Sequence, residues 1–355
     1  MLTLIFGTLF VVLVFIWWYI NTSIPQKFPP GPPRYPIIGS YYYMLQNSKT
    51  SSNKTLLHGI FKNVDKYGKI FGFFVGFQPY VVIADYNIMK DVLKLDEVAG
   101  RQNVRPNNEF RPGHWTVGYE NDGRPPGVLF SQGRYWREQR RYLLRNLRDF
   151  GFGKTSMEDA LLDEVENLCN ELNKNVGKPV CLDTSLNLSL VNALWAILVG
   201  ETLPLNDPKF LDVVVKFKKA ITSIKGNAVL LFPLVPHPKV LSLLRKPLGL
   251  DSLGHGIQNL ASLIKNQIQE HIATRDTDNI RDMTDLFLNE IDNTIDDESS
   301  FYKERGYFAL INDYIDLFLA GMETTSSSLL WTILYLLHHP DVKRRVYVEL
   351  DQVRI

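Results

Sequence analysis

The sequence predicts a mainly α-helical protein with one small β region and a membrane-spanning helix at its start. Three observations carry this. Leu2–Ile20 is apolar and holds no charged side chain. Two short runs, Phe71–Val75 and Tyr80–Ile83, are strand-like. From Tyr135 onward apolar residues return mostly at helical spacing.

The first segment is long enough to cross a bilayer, which takes about twenty apolar residues as a helix. Trp17, Trp18 and Tyr19 cluster at its end, where aromatic rings favour the interface. A cleaved signal peptide needs a basic start and a small-residue cleavage site. Met1-Leu2-Thr3-Leu4 and Trp17-Trp18-Tyr19-Ile20 supply neither, so residues 1–20 read as a retained anchor. Lys27 and Arg34 follow the span and no basic side chain precedes it, which places the following domain in the cytoplasm. The glycosylation patterns at Asn21, Asn53 and Asn187 are then expected to go unused.

Residues 21–36 are crowded with Pro25, Pro29, Pro30, Pro32, Pro33 and Pro36. Proline fixes φ and restricts its neighbour, so this stretch is expected to be stiff and extended, as a linker or as a stalk setting the domain's angle. The two strand-like runs, joined by Gly76-Phe77-Gln78-Pro79, form a hairpin, and Tyr86–Leu95 has helical spacing. Arg101–Gly133 is loop-like. Helices are expected over Tyr135–Arg145, Ser156–Asn173, Leu186–Gly200, Pro208–Ser223, Gly256–Thr274, Met283–Ile291, Tyr302–His338 and Val342–Val353. Asp292–Glu298 reads as a solvated acidic connection. Leu230–Pro236 is an apolar loop that either dips into a membrane or cavity mouth or packs on its own helices.

Composition bounds the function. A chain of 355 residues, 45% hydrophobic and 12% aromatic, buries a large core and is not disordered. A formal net charge of +1 excludes a general nucleic-acid binder, so no nucleic-acid partner is expected. Cys169 and Cys181 make no disulfide framework and are expected to be buried, reduced thiols.

Two constellations carry chemistry. The long helix has an apolar body into which Asp316, Glu323, Thr324, Thr325 and Ser326-Ser327-Ser328 are set. Hydroxyls inside a helix compete for backbone hydrogen bonds, and Gly321 is a further weak point. A locally opened turn there would admit a small ligand and water, with acid and hydroxyl relaying a proton. A polar seam between packed helices gives the same pattern. In Trp136-Arg137-Glu138-Gln139-Arg140, Trp136 and Arg140 share one helix face. An indole N–H and a planar guanidinium suit carboxylates. A core tryptophan and a solvated arginine are the plainer alternative.

These segments resemble the microsomal cytochrome P-450 group, haem-thiolate monooxygenases. Ala320-Gly321-Met322-Glu323-Thr324-Thr325 matches the family's oxygen motif at every defined position, with His339-Pro340 at the family's distance. Pro29-Pro30-Gly31-Pro32 is similar to its proline-rich hinge, and Gly133–Arg148 with Asp149-Phe150-Gly151-Phe152-Gly153 to its propionate-binding helix. The resemblance implies a helical prism with a small β region, formed by residues 37–355 and incomplete at the C-terminus. It implies haem as cofactor, with NADPH electrons delivered through a reductase. Insertion of one oxygen atom into an apolar small molecule follows, at the endoplasmic reticulum membrane. It casts Thr324 as the oxygen-site threonine and Glu323 as its proton-delivering neighbour. Asp316, Ala320 and Gly321 would line the substrate cavity, Ala320 and Gly321 also adjoining the haem. Trp136, Arg140 and Arg101, the last on a short match, would bind the propionates. Val104–Val128 and Leu203–Pro238 are expected to shape the cavity.

The pattern stops short in one respect. The family's Glu-x-x-Arg pair beneath the haem and its Phe-x-x-Gly-x-x-x-Cys-x-Gly loop are absent from these residues. Glu138 and Arg141 have the pair's spacing but lie within the propionate helix. Neither Cys169 nor Cys181 has the glycines that bring backbone close to a ligand sulfur. No metal ligand is therefore expected within the chain, and as given it is expected to be inactive, a truncated product. The alternatives are a catalytically dead, membrane-anchored fragment or splice product, and a secreted helical protein.

Overall fold

The computed structural model describes residues 2–48, 56–101, 110–113, 126–150, 155–204, 207–223, 243, 246–276 and 278–353. They divide into two compact units, residues 1–100 with 223–251, and residues 101–222 with 252–355. The loop 230–236 and most of 104–128 lie outside the described residues.

The first unit opens with α1 (Leu2–Thr22). At 1.5 Å per residue it is about 31 Å long, the thickness of a hydrocarbon core. The side chains of Val11–Ile20 are exposed. Helices α2 (Tyr41–Ser48) and α3 (Leu56–Tyr67) follow. Strands β1 (Ile70–Val75) and β2 (Gln78–Ile83) pair antiparallel, with Val75 opposite Gln78. The hairpin is as expected, with its turn shortened to Gly76-Phe77. Phe71, Phe73, Val75 and Met44 make the core, with Ile60, Val64 and Tyr67 of α3 packed on it. Helix α4 (Tyr86–Val92) is capped by Asp85, which accepts from the Asn87 and Ile88 amides.

The proline-rich stretch is a docked strap over its second half. The Gly72 amide donates to Pro30 O at 3.0 Å, and Phe28 packs on Phe74 at 4.9 Å between ring centres. Arg34 lies over the Phe74 ring at 4.1 Å. Gly31 is required here, because a Cβ would stand 1.7 Å from Gly72 O.

The second unit is helical: α5 (Gly133–Asp149), α6 (Thr155–Asn173), α7 (Leu182–Val199), α8 (Pro208–Thr222), α9 (Leu250–Thr274, whose first two residues belong to the first unit), α10 (Met283–Asn293), α11 (Lys303–His338) and α12 (Pro340–Val353). Helix α7 is apolar and long enough to cross a membrane, yet it packs in the core through Trp195, stacked on Phe318 of α11 at 5.8 Å. Tyr142, Phe287 and Phe301 form an aromatic triangle. Leu198 O, at the end of α7, accepts from Thr284 of α10 and Tyr314 of α11. His271 of α9 hydrogen-bonds Asp282, the N-cap of α10, at 2.8 Å. With Asp285, these two come close enough to be considered metal ligands. Their atoms are committed otherwise: Asp285 holds the Arg281 guanidinium in a fork, and Asp282 caps the helix.

Two expectations are corrected, for the cysteines and for the acidic connection. Cys169 and Cys181 are free but exposed, Cys169 on the solvent side of α6 and Cys181 at the N-cap of α7. The acidic connection is held rather than merely solvated: Arg134 pairs with Asp296 and Glu298, and Arg275 with Asp292. Asn187 is buried, donating to Asp183 O and accepting from Ser326, which bars glycosylation physically.

Candidate functional site

The site is built on α11. Its N-terminal half is buried on nearly all sides, from Ala309 to Phe318. Apolar residues dominate there, so each polar one must find a partner. Asp316 finds Arg111 at 2.6 Å, both side chains almost completely enclosed, and its second oxygen accepts the Leu129 amide at 2.8 Å. One turn earlier, Asn312 donates to Pro112 O. Gly127 lies against this face, where a Cβ would meet Asp316 at 2.7 Å and Asn312 at 3.0 Å. Its amide donates to the buried Tyr135 hydroxyl of α5. Residues 110–113 and 126–131 are thereby clasped to α11.

Asp313 belongs to the same cluster. Both of its carboxyl oxygens are buried without a hydrogen-bond partner among the described residues. Burial, reinforced by the neighbouring Asp316 charge, raises its pKa well above the carboxylate range. Burial raises Asp316 too, opposed by Arg111 and the Leu129 amide. One guanidinium faces two carboxyls, so the stable arrangement is an Arg111–Asp316 ion pair beside a neutral Asp313. Arg111 and Asp313 were not singled out in the sequence. The visible signal was two aspartates three apart in an otherwise apolar helix, which share a face.

Beyond Phe318 the helix changes character. Ala320, Thr324 and Ser328 follow Asp316 along one i, i+4 row and are exposed. The expected opened turn is not found, because α11 is continuous from Lys303 to His338. Its hydroxyls fold back on the helix instead: Thr324 donates to Ala320 O at 2.7 Å, Ser328 to Thr324 O at 2.8 Å. Glu323 is half-buried; one oxygen accepts from Ser327 at 3.3 Å and the other has no partner among the described residues. Gly321 points elsewhere than its neighbours. A Cβ on it would stand 2.6 Å from Leu194, so close packing of α7 accounts for the glycine.

On α5, Trp136 is half-buried and Arg140 exposed, with the guanidinium 5.5 Å from the indole centre. No carboxylate pairs with Arg140 among the described residues, whereas Arg134 on the same helix is held by three. An exposed, unpaired guanidinium braced on an indole fits an anionic group. Arg101 is exposed at the edge of the described residues. The small, uncharged Ala320 and the hydroxyl of Thr324 leave room for a flat ligand over an open helix face. On these observations the residues present fit the propionate side and one face of a haem.

Comparison with known proteins bears on the same residues. The family model for Cytochrome P450 matches residues 29–354. The chain is 30% identical over 358 residues to Cytochrome P450 2D10 of Mus musculus, covering 98% of this chain and 65% of that protein. It is 32% identical over 351 residues to Cytochrome P450 2D3 of Rattus norvegicus, covering 98% and 66%. Cytochrome P450 2C8 of Homo sapiens is 30% identical, covering 96% and 65%. The chain thus spans just under two thirds of the length of these relatives. The family's cofactor is a haem iron, supplied in microsomal members with NADPH electrons through a reductase. The match runs from the docked strap through Arg140 of α5 to the helix bearing Thr324, and the chain belongs to the cytochrome P450 family.

Proposed function

We propose that the whole protein is a membrane-bound monooxygenase that inserts one oxygen atom into apolar small molecules. The observation that carries this is the open row Ala320–Thr324–Ser328 directly beyond a sealed, buried half-helix. Haem, when bound, supplies dioxygen activation, and Trp136, Arg140 and Arg101 would hold its propionates. The chain's own part is to handle protons and water. Thr324 now donates to Ala320 O, and rotation of its side chain would turn that donor to the open face. Glu323, with one oxygen free, stands beside it as the proton source. The apolar body of α11 keeps bulk water from the buried side. In the complete protein, Thr324→Ala is expected to keep NADPH consumption while product per NADPH falls several-fold, the difference appearing as peroxide or water. Unchanged coupling would remove Thr324 from this role.

Electrons would come from a reductase whose acidic surface docks on α5. Arg137, Arg141, Arg145 and Arg148 are exposed there, and none forms an ion pair among the described residues. Reduction should then slow as ionic strength rises. Helix α1 would anchor the protein in the endoplasmic reticulum membrane, with the domain on the cytoplasmic side. We also propose that residues 1–355 alone give no thiolate-ligated haem. Cys169 lies on exposed α6, and Cys181 at the start of α7 faces Thr184 at 3.7 Å. The reduced carbon monoxide complex of this polypeptide should therefore lack the family's shifted Soret band.

A further inference from the structure

Residues 294–302 join α10 to α11 and fold back on themselves. The Asp296 carboxylate accepts the Glu298 amide at 3.0 Å, and Asp296 O accepts the Ser299 amide at 3.1 Å. The Phe301 amide donates to Ser299 Oγ at 3.2 Å. Arg305, in the first turn of α11, donates to Asp297 O at 2.9 Å and to Ser299 O at 2.8 Å. The loop is thereby fastened to the start of α11. Its other side grips α5. Ser300 is fully enclosed; its hydroxyl accepts from the buried Gln139 side chain at 2.9 Å, and its backbone amide donates to Glu138 Oε2 at 2.8 Å. The second Glu138 oxygen accepts from Arg134 at 2.7 Å, and Arg134 also holds Asp296 at 2.6 Å and Glu298 at 2.8 Å. The exposed Arg134 pairs add little by themselves. The bonds to the enclosed Ser300 give the grip its direction.

We infer that Glu138 is a positioning residue for the cofactor: through residues 296–300 it fixes α5 against α11 and so places Arg140 for the haem propionates, a role that rests on the reading of Arg140 as their ligand. At 3.6 residues per turn, Arg134 and Glu138 form one row of α5, and Trp136 and Arg140 form another about 200° round the axis. The loop thus holds the back of the helix whose front bears the guanidinium. A rotation of about 10° would move a group about 6 Å from the axis by about 1 Å, enough to spoil a fork on a carboxylate. Both partners of Glu138 are donors, a backbone amide and a guanidinium, so the side chain must offer two acceptor oxygens. Glutamine has the same length and offers one.

The test measures the rate of haem transfer from the complete, haem-loaded protein to an acceptor apoprotein. Glu138→Gln is expected to speed transfer several-fold, and so is Ser300→Ala, which changes no charge and removes the partner of Gln139. Arg275→Gln is the control: it breaks the Arg275–Asp292 pair, which ties the end of α9 to α10, and should leave the rate unchanged. In an Arg140→Ala background, Glu138→Gln should have no further effect. Equal acceleration by all three single variants would mean general loosening. Acceleration by Glu138→Gln without Ser300→Ala would mean a charge effect, and multiplied effects in the double variant would mean action independent of Arg140. Each of these overturns the inference. Unchanged rates in Glu138→Gln and Ser300→Ala, with faster transfer from Arg140→Ala, overturn it as well and leave Arg140 in its place. An unchanged rate in Arg140→Ala removes the propionate reading, and the role of Glu138 with it.

Discussion

Substituting Gly31 by alanine should detach the strap from the β hairpin. A Cβ at Gly31 would stand 1.7 Å from Gly72 O and 2.9 Å from its carbonyl carbon. Both are backbone atoms of β1, so no rotamer change relieves the contact and residues 28–34 must lift. Lifting breaks the Gly72 amide to Pro30 O hydrogen bond, a net loss of about 1 kcal/mol. It exposes Phe28, which is half-buried against Phe74, for about 1–1.5 kcal/mol. It also removes the Arg34–Phe74 stack, for roughly 0.5–1 kcal/mol. The local cost is then about 3 kcal/mol, which corresponds to roughly a hundredfold loss of protection at the Gly72 amide. Gly68→Ala is the control, since it meets nothing within 4 Å but has φ 94°. Its conformational cost alone is about 1 kcal/mol or slightly more. The assay is native-state hydrogen exchange on the β1 amides of the detergent-solubilised chain. If Gly31→Ala loosens Gly72 no more than Gly68→Ala does, the strap is not docked as described.

Three further outcomes follow from the second unit. Asp313 keeps a proton in the folded state that the unfolded chain gives up near pH 3.8. Stability is therefore full below that pH and falls as pH rises toward the raised native value, by about 1.4 kcal/mol per pH unit. Asp313→Asn should remove this slope and match or exceed the parent at pH 7, while parallel urea profiles from pH 4 to 7 would show that Asp313 is not held neutral. Both ring nitrogens of His271 face acceptors, Gln267 O at 2.9 Å and Asp282 at 2.8 Å, so only the charged ring donates to both. Burial pushes its pKa down, but these hydrogen bonds outweigh it and the net shift is upward. The stabilisation is present below about pH 6.5 and lost as pH rises through the native pKa; His271→Asn should cost about 1.5–3 kcal/mol at pH 5.5, a gap that narrows by pH 9. In the complete protein, Arg140→Lys should speed haem transfer to an acceptor apoprotein several-fold, because lysine keeps the charge and loses the planar fork; an unchanged rate would mean that Arg140 does not hold the group.

Helical segments were legible where a long apolar stripe met a clear cap or glycine. The end of α7 at Gly200, with φ 74°, is one such stop. Helices α2 and α3 were not anticipated. They are short and rich in Tyr, Asn and Lys, and they are stable because Ile60, Val64 and Tyr67 lean on the strands. Tertiary packing, which local propensity does not contain, decides helices of that length. The strap was read as stiff, which is a local property of proline. That it docks depends on two glycines, Gly31 and Gly72, forty-one positions apart, and such a pairing has no local signature.

The same limit explains the site. Periodicity places Asp316, Ala320, Thr324 and Ser328 on one row of α11, but not what covers each turn of it. Asp316 is covered by Arg111 and the Leu129 amide, contributed from about two hundred residues earlier in the chain. Ala320 and Thr324 are left open. The row therefore passes from sealed to accessible within one helical turn, and the Arg111–Asp316 pair forms the closed end of the accessible stretch. Removing one partner would leave a buried, uncompensated charge, typically a loss of 3–5 kcal/mol. A substrate amine could displace Arg111 only against that penalty. In the proposed enzyme Asp316 would thus act first as a wall, and Ala320, exposed one turn later, would be the first position on this row at which a ligand could lie.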